Sequence, residues 1–201
     1  IVSLLIGDAC YNLRAALEQA LWQLCLKADP TYGRRVYYPI FSDPDAYRDN
    51  GRSHVRDIAK RNQTVIEDSQ PYKTGSDALA ILAALNNADK HRDIPVTAAA
   101  ANATASRVSG ARLPLTEAGS LPAWYLPLPR NVQIIEGAEL IRLPLGASRP
   151  ARKVEVSCTV EIRVVFGDSQ EIALAQGRTV VQTLQLIVSE VEQILDALES
   201  A

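Results

Sequence analysis

The sequence predicts an α+β fold: a helical bundle with a small antiparallel β-sheet inserted before its last helix. Three observations predict it. Apolar residues recur every three or four positions near both ends of the chain, over 2–27 and about 174–199. A third stretch of that kind spans 76–92. Between them, 153–166 alternates apolar and polar residues with period two. The 201 residues are read as one domain, with helical parts at 1–92 and 172–201 and a β insertion at about 94–168.

In the first helix, Ile6, Ala9, Cys10, Leu13, Leu17, Ala20, Leu21 and Leu24 form one apolar stripe, and Asp29-Pro30 ends it. Val36–Phe41 reads as a short extended segment, followed by a polar turn over Ser42–Asp45. Ser53 is placed to cap a short helix reaching about Arg61, and another is expected over Val65–Asp68, ending at Gln70-Pro71-Tyr72. Gly75-Ser76-Asp77 starts the 76–92 helix, which carries Leu79, Ile81, Leu82 and Leu85. After Asp93 come an Ala-rich β-branched stretch (97–109), a Pro-punctuated stretch and a strand pair over 132–145 bent at Glu136-Gly137. In the 153–166 strand, Val154, Val156, Cys158, Val160, Ile162 and Val164 are expected on the buried face, with Glu155, Glu161 and Arg163 in solvent. In the last helix Val180, Leu184, Ile187, Val191, Ile194 and Leu198 step by four and three. That seam packs a bundle or, alternatively, pairs two copies as a homodimer.

Composition narrows the class. Hydrophobic residues make up 47% and charged residues 22%, and the formal net charge is −2. This is a soluble globular composition with no global field toward nucleic acid or anionic membrane. No run approaches the ~20 apolar residues of a membrane span, so no membrane partner is expected. Cys10, Cys25 and Cys158 form no CxxC and no Cys/His spacing for zinc. A sparse, odd count fits a reducing, cytoplasmic compartment. There is no ExxH pair, Gly-rich phosphate loop or GxSxG, so neither metal nor cofactor is expected. The apolar start lacks a basic region and is broken by Asp8, Asn12 and Arg14, so it reads as helix rather than leader. The chain begins at Ile and holds no Met, and elements N-terminal to it are expected.

Two polar clusters interrupt the helices: Gly7 to Gln19, and Asn86 to Arg92. At about 100° per residue, Arg14 falls at the edge of the first apolar stripe. Asp89 and Arg92 share a side with Leu82 and Leu85, while His91 points away with Asn87. A carboxylate on a core-facing stripe requires a partner. Arg14 and Asp89 are therefore expected to pair, either as a bridge between helices or as part of a polar site. In the site reading Arg14, Asp89 and His91 are the candidate catalytic residues, and Asp8, Tyr11, Asn12 and Lys90 the ligand-binding ones. The alternative role for His91 is an imidazolium suited to the negative end of its helix; His54 sits in a polar segment. Arg34-Arg35-Val36-Tyr37-Tyr38 is the best basic-aromatic pattern, read either as a nucleic-acid contact or as a solvated strand edge.

These residues also carry a resemblance. Gly7-Asp8, Asn12-Leu13-Arg14, Ala16-Leu17, Gln70-Pro71-Tyr72 and the Leu-rich helix ending Asp89-Lys90-His91-Arg92 resemble a family of uncharacterised bacterial proteins, with the pattern GDxxHNLRxALDH, QPY and DKHR. The first of these motifs is similar in turn to the Arg-x4–6-His signature of HEPN-like ribonucleases of the toxin and defence type. That resemblance implies a phosphate-binding role for Arg14 and RNA as partner. It also implies a histidine acid or base, where this chain has Gln19 and, at another histidine position of the family, Tyr11. Glutamine exchanges no proton near neutral pH, so either His91 substitutes or the chain is an inactive relative. The leading expectation is a bacterial cytoplasmic module that binds a small ligand or a protein through Arg14, Asp89 and His91. Whether it is an enzyme stays open at this point, with the HEPN-like ribonuclease as the alternative.

Overall fold

The first helix, α1 (Val2–Ala28), runs nearly as its periodicity predicts and buries Ile6, Cys10, Leu17, Leu21 and Cys25. The computed structural model describes residues 1–91, 94–109, 132–133 and 155–201, with side chains described over 1–89, 94–99, 162–201. Asp29 ends α1 in extended backbone, φ −143° and ψ 106°, because the ring of Pro30 disfavours a helical predecessor. Its carboxylate then accepts hydrogen bonds from Thr31 N and Oγ1 at 2.8 and 2.7 Å.

The next helical segment begins earlier than expected. Asp43 accepts the Ala46 N–H at 2.8 Å and Pro44 takes the first helical position, a cap-plus-proline start where a turn was expected. Helix α2 (Pro44–Ala46) passes through a wide π turn (Tyr47–Gly51) into α3 (Arg52–Val55). Ser53 is inside this segment, its hydroxyl donating to the Asn50 carbonyl at 2.6 Å, so it caps nothing. The π turn brings the Gly51 backbone against aromatic rings: a Cβ there would lie 2.6 Å from Tyr47 Cδ2 and 3.0 Å from Phe41 Cε2. Helix α4 (Lys60–Asp68) starts at Lys60 rather than Val65, and α5 (Pro71–Thr74) ends at Gly75 with φ +67°, a left-handed cap that glycine adopts without strain.

Helix α6 (Ala78–His91) buries Ala78, Leu79, Ile81, Leu82, Leu85 and Ala88. The last helix, α7 (Val180–Ser200), buries Val180, Thr183, Ile187, Val191, Ile194 and Leu198 against α1, α4 and α6 of the same chain. It starts at Val180, not Leu174. Gln170–Ile172 form a 3₁₀ turn and Gly177 has φ +71°. The chain must turn there because Phe166 N–H donates to Arg178 O at 3.0 Å and Gly177 N–H donates to Phe166 O at 2.9 Å.

The chain divides into two compact units, Ile1–Val96 with Phe166–Ala201, and Thr97–Val165. The first is the helical bundle. Its core joins Ile6, Cys10, Leu17, Leu21, Tyr38, Ile66, Leu82, Leu85, Phe166 and Ile187. At its border Gly167 N–H donates to Pro95 O at 2.9 Å, joining the outgoing and returning chain, and Ser3 Oγ donates to Ile94 O at 2.8 Å, tying the outgoing chain to α1.

The second unit holds the sheet, formed by β1 (Val96–Ser109), β2 (Val132–Gln133) and β3 (Glu155–Phe166) in the order β2-β1-β3. β1 and β2 are antiparallel, with Ala99 opposite Gln133 and Ala100 opposite Val132. The architecture is α+β. The expected strand pair over 132–145 lies, beyond Gln133, outside the described residues, as do the side chains of 154–161. Where β3 is described, the expected facing is reversed: Ile162 is 60% and Val164 41% exposed, while Val165 is buried. The apolar run Val164-Val165-Phe166 carries no period-two phase, so the alternation upstream does not fix which side is covered here. No helix among the described residues is long and apolar enough to cross a membrane.

Candidate functional site at the α1–α6 crossing

Helices α1 and α6 meet at Gly7. A Cβ at this position would lie 2.5 Å from Asp89 Cγ and 2.9 Å from Asp89 Oδ2. The Asp89 carboxylate therefore rests on bare α1 backbone, which only glycine leaves open. Asp89 is nonetheless exposed and makes no hydrogen bond or ion pair with another described residue. Below it sits the Cys10 thiol, fully buried. Burial, and secondarily the Asp89 charge, push its pKa up to about 12. It is a neutral thiol, unsuited to nucleophilic attack.

Successive α1 residues are rotated by about 100°. Taking Gly7 as zero, Tyr11 follows at about 40°, Asp8 at about 100° and Asn12 at about 140°. All three are exposed, and none hydrogen-bonds or ion-pairs with another described residue. They form a continuous polar strip leading away from Asp89. On the other side Cys10, at about −60°, turns into the core.

Arg14 is elsewhere engaged, which corrects the expected pairing with Asp89. Its Nη2 donates to Tyr38 O at 2.5 Å and its Nε to Glu18 Oε1 at 3.1 Å; the side chain is 17% exposed. Two helical turns, roughly 10 Å along the axis, separate it from Gly7 and hence from Asp89's seat. The physical reason lies in the extended segment before α2. It pairs with no strand among the described residues, so its backbone groups need side-chain partners, and Arg14 supplies one with a charge-assisted bond. The Tyr38 ring is buried, and its hydroxyl shares a 2.9 Å hydrogen bond with Ser69 Oγ. Burial raises its pKa, against the effect of that bond. Exposed Asp89 keeps its hydration and needs no such partner. The side chains of Lys90, His91 and Arg92 lie outside the described residues.

Gln70 is the residue whose role the sequence did not disclose. It is fully buried; its Oε1 accepts the Phe41 N–H at 2.9 Å, and its Nε2 donates to Pro39 O and Ile66 O at 3.0 and 2.9 Å. It thus does for Pro39 and Phe41 what Arg14 does for Tyr38. Pro71 opens α5, and Tyr72 packs on Tyr47 with ring centroids 6.0 Å apart. The Gln-Pro-Tyr triplet is a joint. The available signal was a glutamine before a proline among polar neighbours, which marks a turn as readily as a buried amide.

A cavity of about 190 Å³ lies apart from these residues, lined by Leu24, Lys27, Arg61, Asn62, Leu198 and Glu199 among others. Among the described residues no group of three His, Cys, Asp or Glu side chains is placed to hold a metal ion. No family model matches the chain, and no curated protein or solved structure is significantly similar to it.

Proposed function

We propose that this protein is a binding module that recognises a small ligand or a protein partner through the open strip of Asp89, Tyr11, Asp8 and Asn12. One observation carries the reading. Four polar side chains face solvent along the α1–α6 crossing without a hydrogen bond or ion pair to another described residue, while the neighbouring Arg14 and Gln70 are committed to the scaffold. Arg14 and Gln70 spend their donors on backbone carbonyls of their own chain, whereas exposed groups on rigid helices are held in place to meet a partner. Lys90 and His91 extend the strip by sequence. The free, buried thiols of Cys10 and Cys25 are in keeping with a cytoplasmic protein of the bacterial DKHR type.

The alternative, a HEPN-like ribonuclease or an inactive relative, needs Arg14 for phosphate and a proton-exchanging group near it. Arg14 is held by Tyr38 and Glu18, and position 19 is an exposed glutamine. A pair of assays separates the two readings. Beads carrying the wild-type protein should retain a partner that Tyr11→Ala/Asp89→Ala beads lose and Asp196→Ala beads keep, with unchanged thermal melts for all three. Labelled RNA should remain intact with the wild type. Cleavage that disappears in Arg14→Ala would establish the ribonuclease reading instead.

A further inference from the structure

A second surface stands apart from that strip. The segment 34–41, which lies in no helix or strand, runs alongside the α2–α3 helical segment in the opposite direction. Arg34 meets Asp57 at 3.7 Å, Tyr37 meets His54 with ring centroids 6.2 Å apart at 82°, and Phe41 meets Tyr47 with centroids 6.0 Å apart. Phe41 and Tyr47 form the inner end of this seam. Its outer end is open: Arg34, Arg35, Tyr37, His54 and Arg56 are all exposed. The Arg35 guanidinium lies over the Tyr37 ring, 4.9 Å from its centroid. Asp57 is the acidic group in contact, shared by Arg34 and by Arg56, whose Nε lies 3.5 Å away. Three guanidinium groups against one carboxylate leave the patch cationic on a chain whose net charge is −2.

We propose that this patch binds single-stranded nucleic acid. Guanidinium groups spaced along a seam match the repeated charges of a phosphodiester chain. The Arg35–Tyr37 stack and the adjoining His54 ring supply flat faces on which an unpaired base can lie. Three features favour this partner over other polyanions. A phosphopeptide needs a point cluster of donors and makes no use of exposed rings. An anionic membrane calls for inserted Trp, Phe or Leu or for a cluster of about four or more basic side chains, and the five residues here supply neither. A duplex keeps its bases stacked on each other, away from Tyr37. His54, which the sequence left in a polar segment without a role, becomes part of the surface because α3 sets it beside Tyr37.

The test is fluorescence anisotropy with a labelled oligouridylate of about ten nucleotides, within the span such surfaces cover. Three phosphate contacts predict that log K falls with log salt with a slope of about −2. Tyr37→Ala should weaken binding by about 5- to 150-fold through lost stacking, and Arg34→Glu/Arg35→Glu should abolish it. Arg48→Glu, at the other end of the segment, should leave it intact. All these positions are exposed, and unchanged thermal melts confirm that the fold is kept. Four outcomes overturn the proposal: no oligonucleotide binding at low salt, affinity indifferent to Tyr37→Ala, tighter binding of a hairpin duplex, or tighter binding of an acidic phosphopeptide or phosphatidylserine vesicles.

Discussion

Replacing Gly7 by alanine tests the joint on which the proposed site rests. The new methyl would stand 2.5 Å from Asp89 Cγ and 2.9 Å from Oδ2, inside any tolerable contact, so the carboxylate or the helices must move. Overpacking costs about 1–3 kcal/mol in a closed core, and the room the exposed Asp89 carboxylate has to turn places the cost here toward the lower end. Alanine in a helix interior recovers about 1 kcal/mol over glycine, so the net loss for Gly7→Ala should be only about 0–2 kcal/mol. The informative quantity is the coupling. In a double-mutant cycle with Asp89→Ala the helix-propensity gain cancels, and the interaction energy should be about 1–3 kcal/mol, the double variant being more stable than the sum of the single ones implies. Urea unfolding measured for all four proteins gives that number directly. A coupling within about 0.5 kcal/mol of zero, the additivity expected of independent sites, would refute the seating of Asp89 on Gly7.

Two further outcomes follow from the interior. Gln70→Leu keeps the volume but strands the Phe41 N–H and the Pro39 carbonyl; at about 1–3 kcal/mol for each buried group left unpaired, the loss should be roughly 2–6 kcal/mol, and a urea-midpoint shift corresponding to less than 1 kcal/mol would mean the amide is not the tie between these segments. The Cys10 thiol ordinarily titrates at 9.0 and is pushed up to about 12 in the fold. The folded state thus holds the proton more tightly, and the stability this contributes is complete below about pH 9 and lost as pH rises toward 12. Burial moves Tyr38 and Tyr47 the same way, so the comparison is between wild type and Cys10→Ala, which keeps both tyrosines. The variant should lose stability less steeply across that window; equal slopes would show that Cys10 does not titrate as described.

Elements whose cause is local were legible in the order of residues alone. Periodicity located α1, α6 and the body of α7, whose start lies six residues later than expected, because a stripe repeating every three or four positions can be buried only on a helix. Asp29-Pro30 ended α1, because proline acts on the backbone of its immediate predecessor. The polar character of Asp8, Tyr11 and Asn12 was legible for the same reason, as they sit off that stripe. The tertiary structure decided which distant groups meet. Arg14 and Asp89 both looked in need of a partner. Only Arg14 met one among the described residues, because the segment before α2 passes it, while a glycine two turns away opened an exposed seat for Asp89. Gln70 and His54 gained their places from Phe41 and Tyr37 in the same way. The facing of β3 near Val165 was likewise settled by packing, because an apolar run has no phase of its own. A helical stripe constrains its own residues, whereas a contact between segments is a property of two surfaces and appears only when the chain brings them together.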